Sequence, residues 1–139
     1  MKRIYFLALI GLLALTMPQQ AKACTGITLH TTKGEVVTAR TIEWAGEDLE
    51  SRYSVVPRGY RQRSYVPDGT KRGMEFTSRY GYVGLAVQQA EFVMEGLNEA
   101  GLAAGLFYFP AYGEYEAYDE SRKDKTVSDL QLVSYMLGS

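Results

Sequence analysis

The sequence predicts an α+β fold, antiparallel strands first and one helix last, and three observations carry that prediction. Short runs of β-branched, aromatic and polar residues alternate with period two between positions 25 and 88. Turn-forming pieces separate them: Lys33-Gly34, Pro67-Asp68-Gly69-Thr70 and Tyr80-Gly81. Helical spacing of apolar residues arises only near the end, at Val127, Leu130, Val133 and Leu137. Strands gathered together and followed by a helix argue for antiparallel sheet with helical cover. The 139 residues suffice for one domain.

Taken in order, the chain opens with Lys2 and Arg3, continues apolar from Ile4 to Thr16, breaks at Pro18 and reaches Ala21-Lys22-Ala23. This is the plan of a secretory leader, and its apolar run of about 13 residues falls short of the ~20 that a membrane helix needs. The expected division is a leader over 1–23 and a domain over 24–139. The product is expected outside the cytoplasm, periplasmic or extracellular, without stable membrane insertion after cleavage. A hairpin follows, from Thr25 to Thr31 and from Glu35 to Thr41. Tyr53 to Val56 is a third strand, ended by Pro57. Residues 58–72, rich in Gly, Arg, Tyr and Pro, read as a loop. Gly73 to Arg79 and Tyr82 to Gln88 suggest a second hairpin, Leu97 to Gly101 a turn, and Leu102 to Phe109 a buried strand. An acidic, Tyr-rich loop over 111–125 leads to the helix, with Thr126 and Asp129 fitting a capping box.

Composition removes several functions. Fifteen Lys and Arg nearly balance sixteen Asp and Glu, for a formal net charge of -1, so no global basic field exists to hold nucleic acid. One Cys and one His permit no intrachain disulfide and no Cys/His zinc cage. GxxxxGK[ST] and GxGxxG phosphate loops are absent, as are internal repeats. His30 is one alternation step from Leu29 and reads as solvent-facing, with no catalytic work.

The cysteine is informative through its position. Cleavage after Ala23 would make Cys24 the first residue, with thiol and α-amine on one framework. A free amine titrates at roughly 7.7–8.0 and a free thiol at ~8.5, so the amine can take the thiol proton near neutrality. The thiolate is the nucleophile, and no histidine is required. Lipidation of Cys24 is a rival reading, but it calls for a large apolar residue and then a small uncharged one where Ala21 and Lys22 stand. Away from the cleavage point, a lone cysteine would read as a small buried hydrophobe.

Several ordered segments then resemble the choloylglycine hydrolase and penicillin V acylase family, linear-amide C–N hydrolases of the N-terminal-nucleophile superfamily. They are Cys24-Thr25-Gly26, Thr38 to Trp44 (TARTIEW), Val56 to Gly59 (VPRG), Tyr80 to Gly84 (YGYVG), Glu95 to Leu102 (EGLNEAGL) and Gly105 to Pro110 (GLFYFP). The resemblance implies a four-layer αββα sandwich and hydrolysis of an amide joining an acyl group to a small amine, with no metal or organic cofactor. It implies Cys24 as nucleophile and Arg40 as the cation beside it. Glu43 stands where the family usually has the Asp that orients the terminal amine. Tyr108 falls where bile-salt-cleaving members carry Asn and penicillin-V-cleaving members carry Tyr, as an oxyanion or acyl-pocket group. Asn98 lies in the family's Asn-Glu-x-Gly-Leu turn, a further candidate for contact with substrate or oxyanion. On position alone, Arg40 and Glu43 also read as surface strand charges, Tyr108 as a core aromatic and Trp44 as a packing residue. The Arg58, Arg61 and Arg63 group reads as an anion-attracting patch or a solvated loop, and Tyr112, Tyr115 and Tyr118 as an acyl entrance or ordinary packing. The expected partner is a small acyl amide, and oligomerisation is open.

Family members run longer, so the expectation is the first half of the sandwich, with a second oxyanion asparagine and a distal arginine beyond Ser139. The rival to an amidase is a catalytically inactive, secreted binding or structural fragment.

Overall fold

The computed structural model describes residues 24–43, 48–108 and 113–139. The expected leader over 1–23, Trp44, Phe109, Pro110 and Tyr112 lie outside the described residues.

The first hairpin forms where alternation places it. Strands β1 (Gly26–His30) and β2 (Val36–Arg40) pair antiparallel, with Gly26 opposite Arg40 and His30 opposite Val36. Gly34 turns the chain at a φ of +84°, a conformation that strains any residue with a Cβ. The Thr31 hydroxyl closes the turn by accepting the Lys33 and Glu35 amides at 3.3 and 3.1 Å. His30 is exposed.

β3 (Arg52–Val56) opens a four-stranded antiparallel sheet completed by β6 (Tyr82–Ala86), β7 (Val93–Asn98) and β8 (Ala103–Gly105), in that spatial order. Between β3 and β6 the chain builds a separate ribbon from β4 (Arg61–Arg63) and β5 (Glu75–Thr77).

Two expectations change here. The second expected hairpin does not form, because β5 pairs with β4, inside the stretch read as a loop. Arg61 and Arg63 both reach the carboxylate of Glu75, the latter at 2.9 Å, and opposite charges across a strand pair favour that partner. The chain also stays extended through Leu97 and Asn98, so the turn starts later than expected and ends at Gly101, whose φ is +89°. Beyond it, among the described residues, the short edge strand β8 forms, and its Ala103 and Gly105 are exposed instead of buried.

Helix α1 (Leu132–Gly138) is shorter than the apolar spacing suggested. The capping box does not form. Thr126 instead ends a 3-10 helix (Glu120–Lys125), its hydroxyl donating to the Arg122 carbonyl at 3.2 Å. A second 3-10 turn (Asp129–Gln131) delivers the chain to α1. Its buried Gln131 accepts the Tyr65 amide at 2.8 Å, and this tertiary bond fixes the entry in place of a local cap.

The sheet's two faces differ. Val56, Tyr82 and Ala86 point to one side and form a core with Val93 and with Val133 and Leu137 of α1. Gly84 stands opposite Gly96, and a Cβ on Gly96 would come within 2.7 Å of Leu137 Cδ1 and 2.6 Å of the Val83 oxygen. Gly96 thus leaves room in the sheet where Leu137 seats. Tyr53, Val55, Val83 and Leu97 point the other way and stay exposed, and Tyr53, Val83 and Leu97 share a cleft with the β1–β2 hairpin. Among the described residues the architecture is α+β: antiparallel layers and a C-terminal helix, in keeping with part of an N-terminal-nucleophile fold.

Candidate active site

Cys24 is a half-buried free thiol immediately before the hairpin. The register that pairs Gly26 with Arg40 also brings Thr25 to Thr41. The Thr41 amide donates to the Thr25 carbonyl at 2.9 Å, and the Thr25 amide donates to Thr41 Oγ1 at 3.1 Å. The backbone just after the thiol is therefore held to the end of β2.

Arg40 is no loose surface charge. Its Nη1 crosses to the sheet and donates to the carbonyls of Met94 at 3.1 Å and Leu106 at 2.5 Å, while Nε donates to the Thr41 carbonyl at 3.2 Å. The guanidinium also lies over the Phe107 ring, 4.6 Å from its centroid. A planar, permanently charged fork suits both contacts, bonding carbonyls at its edge and stacking through its face.

Cys24, Arg40 and Phe107 line one cleft of about 1040 Å³ between the hairpin and the outer face of the sheet. Ile27, Val37 and Leu97 give it apolar walls, and Glu95 adds a carboxylate. A thiol and a fixed cation opening into one apolar recess can present a nucleophile to a substrate carrying an apolar acyl group.

The other expected site residues lie elsewhere. Glu43 is exposed and outside that cleft, but its Oε1 accepts from the Thr41 hydroxyl at 2.8 Å. Asn98 is buried at the end of β7. Its Oδ1 accepts the Ala100 and Leu102 amides at 3.0 and 2.9 Å, and its Nδ2 donates to the Leu137 carbonyl at 2.9 Å. Those bonds engage the amide in the turn and in anchoring α1, and Asn98 does not line the cleft. Tyr108 follows Phe107, largely exposed, and is likewise not part of the cleft lining. Tyr115 and Tyr118 line a different cavity of about 520 Å³, with Tyr65 and Arg122. The arginine group is engaged as well. Arg58 bonds Glu99 at 2.5 Å, while Arg61 and Arg63 share Glu75. Hydrogen bonding to these arginines holds both carboxyls below their ordinary range.

Two residues of the site lie within the sequence motifs but have no role that the motifs reveal. One is Thr41. The other is Phe107, whose signal was Gly26: a Cβ there would fall 2.5 Å from the Phe107 ring. Gly26→Ala is expected to push that ring off Arg40 and cost ~10- to 100-fold in kcat through misplacement of the cation. Its urea midpoint should stay near the parent's, because the ring is partly exposed and can move aside.

A thiol, a guanidinium locked to backbone carbonyls and an apolar recess on an α+β frame suit nucleophilic cleavage of a carbonyl derivative. A family model described as linear amide C–N hydrolases, choloylglycine hydrolase family, matches residues 24–139. The chain belongs to that family, and so to the linear amide C–N hydrolases. No curated protein and no solved structure matches it.

Proposed function

We propose that this chain is an exported amidohydrolase that cleaves N-acyl amides through Cys24, released as the N-terminal residue by cleavage after Ala23. The observation that carries the reading is the joint opening of Cys24 and Arg40 into one apolar cleft within a family of amide hydrolases. The α-amine takes the thiol proton and the sulfur attacks the amide carbon, giving a tetrahedral oxyanion. That intermediate collapses, the C–N bond breaks, and the leaving amine departs with the proton. Water then hydrolyses the acyl-thioester, with the α-amine again as base. Arg40 supplies a fixed positive charge to the cleft into which the thiol opens. The apolar walls suit an apolar acyl group, and the resemblance at Tyr108, a position that carries Tyr in penicillin-V-cleaving members, favours aryl- or alkyl-acyl amides of the penicillin V or acyl-homoserine-lactone kind over conjugated bile salts.

The test is to mix the purified chain with a phenoxyacetyl or long-chain acyl amide, quench in acid and weigh the peptide containing residue 24. The expected result is a peptide that begins at Cys24 and carries the acyl mass, released by hydroxylamine. Turnover with the acyl group on another residue, or none at all, would refute the cysteine mechanism.

A further inference from the structure

Thr41 bonds Glu43, Arg40 and Thr25, the residue that follows Cys24. Its hydroxyl accepts the Thr25 amide at 3.1 Å and donates to Glu43 Oε1 at 2.8 Å. Its own amide donates to the Thr25 carbonyl at 2.9 Å, and its carbonyl accepts Arg40 Nε at 3.2 Å. A threonine in an exposed strand end has no packing need for four such bonds. Glu43 reaches the nucleophile's neighbourhood only through this hydroxyl among the hydrogen bonds of the described residues.

We infer that Thr41 is a positioning residue: its hydroxyl couples the Glu43 carboxylate to the peptide that follows Cys24, holding the thiol against the strand that carries Arg40. A carboxylate accepting from a hydroxyl makes that hydroxyl oxygen a better acceptor, so the Thr25 amide bond and the Glu43 bond strengthen one another. The Thr25 amide is also engaged by Thr41 and so is not aimed at the cleft. The inference rests on reading Cys24 as the nucleophile, but it can be tested apart from turnover.

Cys24 is the sole cysteine, so the rate of iodoacetamide alkylation of the full chain reports that thiol alone. Thr41→Val keeps the shape and removes the hydroxyl, whereas Thr41→Ser keeps the hydroxyl. Loss of one or two hydrogen bonds predicts about tenfold slower alkylation at pH 7 and a similar fall in kcat for Thr41→Val, with KM within about twofold. Thr41→Ser should retain at least about half the parent rate, because it preserves both bonds. In a Glu43→Ala background Thr41→Val should cost only about threefold, the non-additivity expected of residues acting as a unit. Parent-like alkylation of Thr41→Val, or equal losses in the Val and Ser variants, would overturn the inference and leave the amidase reading untouched. The expected alkylation pattern in a chain that cleaves no acyl amide would uphold the placement of the thiol while removing the amidase reading.

Discussion

Cys24→Ala is expected to lower kcat/KM for an acyl amide by ~10⁴-fold or more, to the level of the buffer reaction, because no second group can replace the nucleophile. The chain contains no other thiol, and its one histidine, His30, is exposed on the hairpin and outside the cleft, so no alternative thiol–imidazole pair exists. The variant should fold normally. Cys24 is only half-buried at a cleft edge, and the bonds that hold the strand end belong to Thr25 and Thr41. Circular dichroism and urea unfolding of the variant should therefore overlay the parent's. Full-length precursor that still carries Ala23 should be as inactive as Cys24→Ala, since an acylated nitrogen cannot take the thiol proton. Steady-state rates on the three proteins check both statements, and undiminished activity in either inactive form ends the mechanism.

The order of strands and helix was legible because its signals are local. Alternation and the Lys33-Gly34 turn define the first hairpin, and the Pro57 stop defines the end of β3. What escaped depends on partners distant in sequence. The pairing of β4 with β5 rests on Glu75 meeting two arginines more than ten residues away. The late start of α1 rests on Gln131 bonding Tyr65, which no local cap could reveal. The same division holds at the cleft. Cys24 and Arg40 were readable as motif residues, but the bond from Arg40 to Leu106 and its stacking on Phe107 span more than sixty positions. Asn98 was readable as a turn residue, and its hold on the end of α1 was not. Thr41 was the nearest miss. Once the hairpin turn is fixed, register alone sets it beside Thr25.

Leu137→Ala is expected to destabilise the fold by about 4–5 kcal/mol, near the top of the range for a buried leucine. The cost of such a truncation depends on whether neighbours can collapse into the space. Leu137 is fully buried, and part of its seat is Gly96, which has no side chain to swing inward. Nor can the helix settle towards the sheet. Asn98 holds the Leu137 carbonyl, and the Gly138 carbonyl accepts the amides of Arg79 and Tyr80. The cavity therefore stays open and the lost contacts are not recovered. Domains are typically stable by only 5–15 kcal/mol, so the variant should be largely unfolded at moderate urea where the parent is intact. Met136→Ala, at a position 44% exposed on the same helix, should change stability by no more than about 0.5 kcal/mol. Comparable losses at both positions would show that helix propensity, and not the buried seat of Leu137, holds α1 to the sheet.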